Sequence, residues 1–154
     1  MKTCEYKQGF TLIEMVIVVG IIALLATMII SLVSRFDNQA KEKGLESTFA
    51  LLEDALQEYY GYWDSFPAPE QAPYLSTSAA LYGQLYSTPD SRKILEQISE
   101  SLLKKHPDDI NMLQILDPWG TVLEYRYSPG DSFPVLISAG PDRIFGTADD
   151  IRSR

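Results

Sequence analysis

The sequence is poor in the side chains from which most active sites are built. Its 154 residues include a single histidine, His106, and a single cysteine, Cys4. A zinc site made of histidine and cysteine needs about three or four such ligands, so that class is excluded. A Ser-His-Asp or Cys-His arrangement would have to use His106, which sits in Lys104-Lys105-His106-Pro107, a segment that reads as a charged helix end. No glycine-rich phosphate loop is present. Basic residues are also in deficit: 13 Lys and Arg stand against 21 Asp and Glu, a net charge of −8. Phosphate binding needs a basic face, so nucleic acid is excluded as the main partner. Chemistry built from carboxylates alone stays open, but no residue pattern points to it, and no enzyme is expected.

What the chain has in excess is apolar sequence, unevenly placed. Met15–Ser34, MVIVVGIIALLATMIISLVS, is twenty residues without a charge, long enough to span a bilayer as a helix. It exceeds the hydrophobic region of a secretory signal peptide, and no A-x-A-like site follows it. Ahead of it, Met1–Gly9 carries Lys2 and Lys7 against Glu5. The positive-inside rule places that leader in the cytoplasm and everything after Arg35 outside. One residue breaks the pattern: Glu14, inside the apolar segment that starts at Phe10. An ionisable group in a membrane helix costs roughly 2.5–3.5 kcal/mol near the bilayer centre and less near its edge. On position alone two readings stand, a carboxylate snorkelling to the headgroups and one awaiting a positive partner.

Lys7-Gln8-Gly9-Phe10-Thr11-Leu12-Ile13-Glu14, followed by the long apolar run, resembles the N-terminal signal of type IV pilins and type II secretion pseudopilins. The resemblance implies that a membrane prepilin peptidase cuts between Gly9 and Phe10 and methylates the new Phe10 amine. It also implies that Glu14 pairs with the amino group of a neighbouring subunit during assembly, which supplies the partner that a buried carboxylate requires. Two residues depart from the family pattern. Gln8 precedes Gly9 where a basic residue is often found, and Ser31 stands where many members carry proline. Cleavage would remove Cys4 with the leader, leaving no cysteine for a disulfide, and would take the net charge from −8 to −9.

Beyond Arg35, apolar residues recur at Leu45, Phe49, Leu52, Leu56 and Tyr59, one stripe of an amphipathic helix. The spacing predicts a single helix from about Thr11 to Tyr60, its second half packed under a small domain; two heptads are too few to favour a coiled coil. Gly61 and Pro67 are read as ending it, and Tyr62–Pro67 with Pro69-Glu70-Gln71 resembles the turn after the long helix of pseudopilins. Tyr74–Ser87 has no clear period; its tyrosines suit core and interface packing better than a carbohydrate face. A second helix is expected from Thr88 as cap, Pro89 and Asp90, with Ile94, Leu95, Ile98 and Leu102 inward and Lys104-Lys105 at its end.

The last forty residues read as sheet: a turn at Asp117-Pro118-Trp119-Gly120, a strand at 122–127, a turn at Ser128-Pro129-Gly130-Asp131 and a returning strand at 134–138. Trp119 is read as a core plug. That order resembles the C-terminal half of the major pseudopilin of type II secretion. The tail from Ser138 to Ile151 places Asp142, Asp149 and Asp150 around a glycine-containing loop. Taken alone, it suits either a solvated acidic turn or a hard cation such as calcium, which takes six to eight oxygens. It is not an EF-hand. The resemblance implies calcium, with Asp142 and Asp150 at the family's acidic positions, Asp149 as an added candidate and the Ala139 carbonyl as a main-chain ligand; Arg143 replaces the family's glycine.

The expectation is therefore an α+β, pilin-like chain in three parts: leader 1–9, transmembrane and filament-core helix 10–34, and periplasmic globular domain 35–154. The resemblance implies a structural subunit of a type II secretion pseudopilus in the bacterial inner membrane, a homo-oligomeric filament that helps to push substrates outward. Its implied partners are minor pseudopilins, the prepilin peptidase and an inner-membrane assembly platform. Rival readings are a type IV pilin for adhesion, motility or DNA uptake, a minor tip pseudopilin, and an uncleaved signal-anchored periplasmic binding domain.

Overall fold

No proline interrupts the chain before Pro67, and a single helix, α1, runs Leu12–Trp63 in the computed structural model. The structure describes residues 11–68, 77–107 and 109–154, with the side chains of 29–35 and 77 left out. The chain divides into two units, Met1–Gln39 and Ala40–Arg154.

In the first unit α1 is apolar on every side. Each large apolar side chain from Leu12 to Met28 is exposed, the least of them, Val18, at 42%, so none of these side chains is covered by the chain itself. Among the described residues no helix is long and apolar enough to cross a membrane; six residues of the twenty-residue run, 29–34, have side chains outside the description.

In the second unit the expected stripe is the floor of the core. Leu45, Phe49, Leu52 and Leu56 are buried, Tyr59 half-buried, and the glutamates between them face outward or sideways. Asp64, with φ +53°, turns the chain out of α1 after Trp63; Gly61 lies inside the helix. Two short helices follow, α2 (Thr77–Ser87) and α3 (Pro89–Leu95). Ser91 Oγ donates to the Ala55 carbonyl (2.9 Å), tying α3 to α1 where both backbones are too deep for water. Then come a two-stranded antiparallel ribbon, β1 (Leu103–Lys105) with β2 (Leu113–Ile115), and a three-stranded antiparallel sheet, β3 (Glu124–Arg126), β4 (Val135–Ser138) and β5 (Ile151–Arg152), in that spatial order. Leu81, Leu85, Leu95, Ile115, Trp119, Leu123, Tyr125 and Leu136 close the core over the α1 stripe.

The α+β expectation and the Trp119 plug agree with this structure. Other local expectations are corrected. Tyr74–Ser87 holds α2, whose inner face is made of small residues, Ser78, Ala79 and Ala80, with Leu81 and Leu85. The helix beginning at Pro89 stops at Leu95; Lys104-Lys105 lie on strand β1. His106 is buried at the end of that strand, its main-chain N–H donating to the Met112 carbonyl at 2.8 Å. Thr88 makes no side-chain cap; its hydroxyl accepts the Trp63 indole N–H at 3.2 Å.

Candidate functional site

Two places carry the residues singled out from the sequence. The first is the start of α1. Gly9 and Phe10 lie outside the described residues, but Glu14 does not. Its Oε2 accepts from the Thr11 main-chain N–H (3.2 Å) and hydroxyl (3.0 Å), while the Glu14 N–H donates back to the Thr11 hydroxyl at 3.4 Å. This is a reciprocal capping box, which satisfies N–H groups that a helix start leaves without intrahelical partners. The carboxylate also lies at the positive end of the helix dipole. Thr11-x-x-Glu14 is a capping signature legible in the sequence itself.

The second place is the connection from β4 to β5. These strands pair Ile137 with Arg152 and Ser138 with Ile151, so residues 139–150 form a loop whose two ends are held in one sheet. Gly140 lets the ends close: at φ +68° its missing Cβ would run into the Asp149 carbonyl oxygen. Underneath lies a buried polar support. Asp117 accepts from the N–H groups of Trp119 (3.0 Å) and Thr121 (2.8 Å) and from the Ser138 hydroxyl (2.7 Å), and Ser138 Oγ accepts the Gly140 N–H (3.0 Å). The Asp117 carboxylate thus fastens the Trp119 turn to the base of the tail loop.

The structure places all four expected oxygen donors in this loop but does not gather them. Ala139 is fully buried. Asp142 is exposed and accepts from the Ile144 N–H at 2.9 Å. Asp149 is exposed, its N–H donating to the Thr147 hydroxyl at 3.3 Å. Asp150 is half-buried; one oxygen accepts the Gly146 N–H at 2.9 Å, and the other, Oδ1, is buried with no hydrogen-bond partner. Among the described residues no three His, Cys, Asp or Glu side chains converge as a metal-holding group. Arg143 has φ +61°, a left-handed conformation that favours glycine.

The tyrosines of α2 form a separate surface feature. Tyr82 and Tyr86 stack at 5.8 Å, and the Arg92 guanidinium lies 4.5 Å from the Tyr86 ring centre. Burial raises the Tyr82 hydroxyl above the usual tyrosine range, and the ring packs against the core, in keeping with a packing role.

Comparison with known proteins adds to these observations. Residues 6–30 match the family model described as the prokaryotic N-terminal methylation motif. The chain is 30% identical to type II secretion system core protein G of Escherichia coli K12, covering 98% of this chain and 93% of that one. Proteins of the same name from Pectobacterium carotovorum (29%, covering 95% and 84%) and Pseudomonas aeruginosa (29%, covering 94% and 90%) are similar over nearly the same extent. No solved structure matches the chain. A methylation motif over the start of α1, with similarity running through the core and tail loop, leads to one assignment: the chain belongs to the type II secretion system core protein G family, the major pseudopilins.

Proposed function

We infer that this chain is the repeating structural subunit of a type II secretion pseudopilus, anchored in the inner membrane by the first part of α1 with its Ala40–Arg154 unit in the periplasm. The observation that carries the reading is the exposure of every large apolar side chain from Leu12 to Met28. Such a surface needs lipid or other helices around it, since water is a poor solvent for contiguous apolar area. The mechanism is mechanical. Subunits wait in the bilayer after the prepilin peptidase has cut between Gly9 and Phe10 and methylated Phe10. Glu14 then takes the Phe10 ammonium of a neighbour, and the apolar helices pack as the filament core while an inner-membrane platform, with the minor pseudopilins, directs assembly. The lone histidine, buried beside main chain at the end of β1, supports a structural role over a catalytic one.

One atom of the tail loop supports a calcium reading. Asp150 Oδ1 is a buried acceptor without a donor, which costs stability unless a cation or water meets it. Ala139 through its carbonyl, with Asp142, Asp149 and Asp150, would hold the ion, which supplies positive charge to an acidic loop and ties its ends together in a chain whose mature form has no cysteine.

The deciding experiment is the intact mass and N-terminal sequence of the protein from its own cell envelope. A chain beginning at N-methylated Phe10 is expected; one beginning at Met1 would overturn the filament reading. Glu14→Ala should then leave processing intact and abolish filaments, as scored by cross-linking between subunits in isolated cell envelopes.

A further inference from the structure

Beyond α1, the exposed large apolar side chains among the described residues are Tyr86, Ile110, Ile144 and Phe145, and they fall at two places. Ile144 and Phe145 stand at the tip of the tail loop. Tyr86 lines a groove of about 380 Å³, and Ile110 adjoins it in sequence. Ala79, Tyr82, Gly83 and Tyr86 form one face of α2 along this groove, opposite Asn111 and Met112. Gly83 keeps it open, since a Cβ there would meet nothing within 4 Å.

The tip is held ready by its own loop. The Ile144 N–H donates to Asp142 at 2.9 Å, the Thr147 hydroxyl to the Ile144 carbonyl at 3.2 Å, and the Arg143 N–H to the Gly140 carbonyl at 3.2 Å. An apolar tip ordered in advance gives up little conformational freedom on docking. Tip and groove also match in charge. Arg143 directly precedes the apolar pair, and burial, Tyr86 and then Glu96 raise the Tyr82 hydroxyl, which puts the Glu96 charge at the rim of the groove. Arg143 and Glu96 are exposed, and neither takes part in an ion pair among the described residues.

We propose that the Ile144–Phe145 tip of one copy seats in the α2 groove of a second copy, with Arg143 meeting Glu96 at the rim. This rests on the filament reading. Tip and groove are different surfaces of the chain, so the contact is head-to-tail. Each copy that docks by its tip brings a groove of its own, and such contacts extend an open assembly without having to close.

Cysteine cross-linking of the full chain in cell envelopes tests this, in a Cys4→Ser background where only introduced thiols react. A chain carrying both Ile144→Cys and Asn111→Cys, two exposed positions, should give a ladder of dimers, trimers and longer products on oxidation. A mixture of the two single variants should stop at dimers, and each alone should stay monomeric. Gly83→Leu fills the groove from a helical position with room for a side chain, and should abolish the ladder while circular dichroism matches wild type. Arg143→Glu should lower the cross-link yield about threefold, and Glu96→Arg should restore it. Leu24→Cys reports separately on the packing of the apolar helices. Leu24→Cys products without a ladder through 144 and 111 would overturn the proposal and leave the filament standing; products from neither would overturn both. A ladder that survives Gly83→Leu, a charge pair that does not compensate, or Asn111→Cys joined to a protein of another mass would each overturn the proposal alone.

Discussion

One helix holds two apolar segments that obey different rules. From Leu12 to Met28 the apolar residues surround the axis and all large ones are exposed; from Leu45 to Tyr59 they occupy one stripe, and that stripe is buried under the sheet and short helices. Apolar residues on all sides find no sufficient partner within a small domain, whereas a stripe finds one. The second segment therefore answers to the stability of this chain alone, and the first to whatever surrounds the chain.

Substitutions can break that contrast. The largest effect is expected from Leu52→Ala, which removes a fully buried side chain from the stripe and should cost about 2–5 kcal/mol in denaturant unfolding. Next comes Asp117→Ala. It strands the Trp119 and Thr121 N–H groups and the Ser138 hydroxyl in a buried setting, with an expected loss of about 2–3 kcal/mol by the same measurement. Tyr125→Phe should cost about 1–2 kcal/mol, since the Tyr125 hydroxyl donates to the Pro67 carbonyl at 2.9 Å.

That tyrosine also predicts a slope with pH. Burial raises its hydroxyl well above the usual range, so the unfolded chain releases this proton first as the pH rises. The stabilisation is complete below the ordinary tyrosine range and declines as pH climbs through it toward the folded value. Unfolding curves of Tyr125→Phe at alkaline pH should lack that component. The smallest effect belongs to Leu24→Ala, which sits where the helix is bare: melting of the Ala40–Arg154 unit should move by less than about 0.5 kcal/mol. A large shift there would mean that the two segments are not energetically separate.

How much of this was legible in the sequence depended on the length of each pattern. Over α1 the apolar spacing repeats often enough to place both segments, with the end misjudged only because a helix tolerates Gly61 and stops at the left-handed Asp64. In α2 only Leu81 and Leu85 stand out as apolar; the other buried residues, Ser78, Ala79 and Ala80, are too small to extend that pair into a visible period. Strands β1 and β2 have three residues each and β5 has two, shorter than any alternation can establish, so Lys104-Lys105 carry a helix-end signal in sequence although they lie on β1. The tail loop could be located from its aspartates. Its support by Asp117, which reaches Ser138 across 21 positions, depends on tertiary placement that no local spacing encodes.

The Thr11–Glu14 box bears on how long a subunit can wait. On the filament reading, a carboxylate at the edge of the bilayer is already occupied by its own helix start, so a lone subunit is not driven into the nearest available contact. Joining a neighbour becomes an exchange, in which an incoming ammonium displaces hydrogen bonds that re-form when it leaves. Such a hand-off would let unassembled subunits persist as a reserve, since their carboxylate already has hydrogen-bond donors before a neighbour arrives.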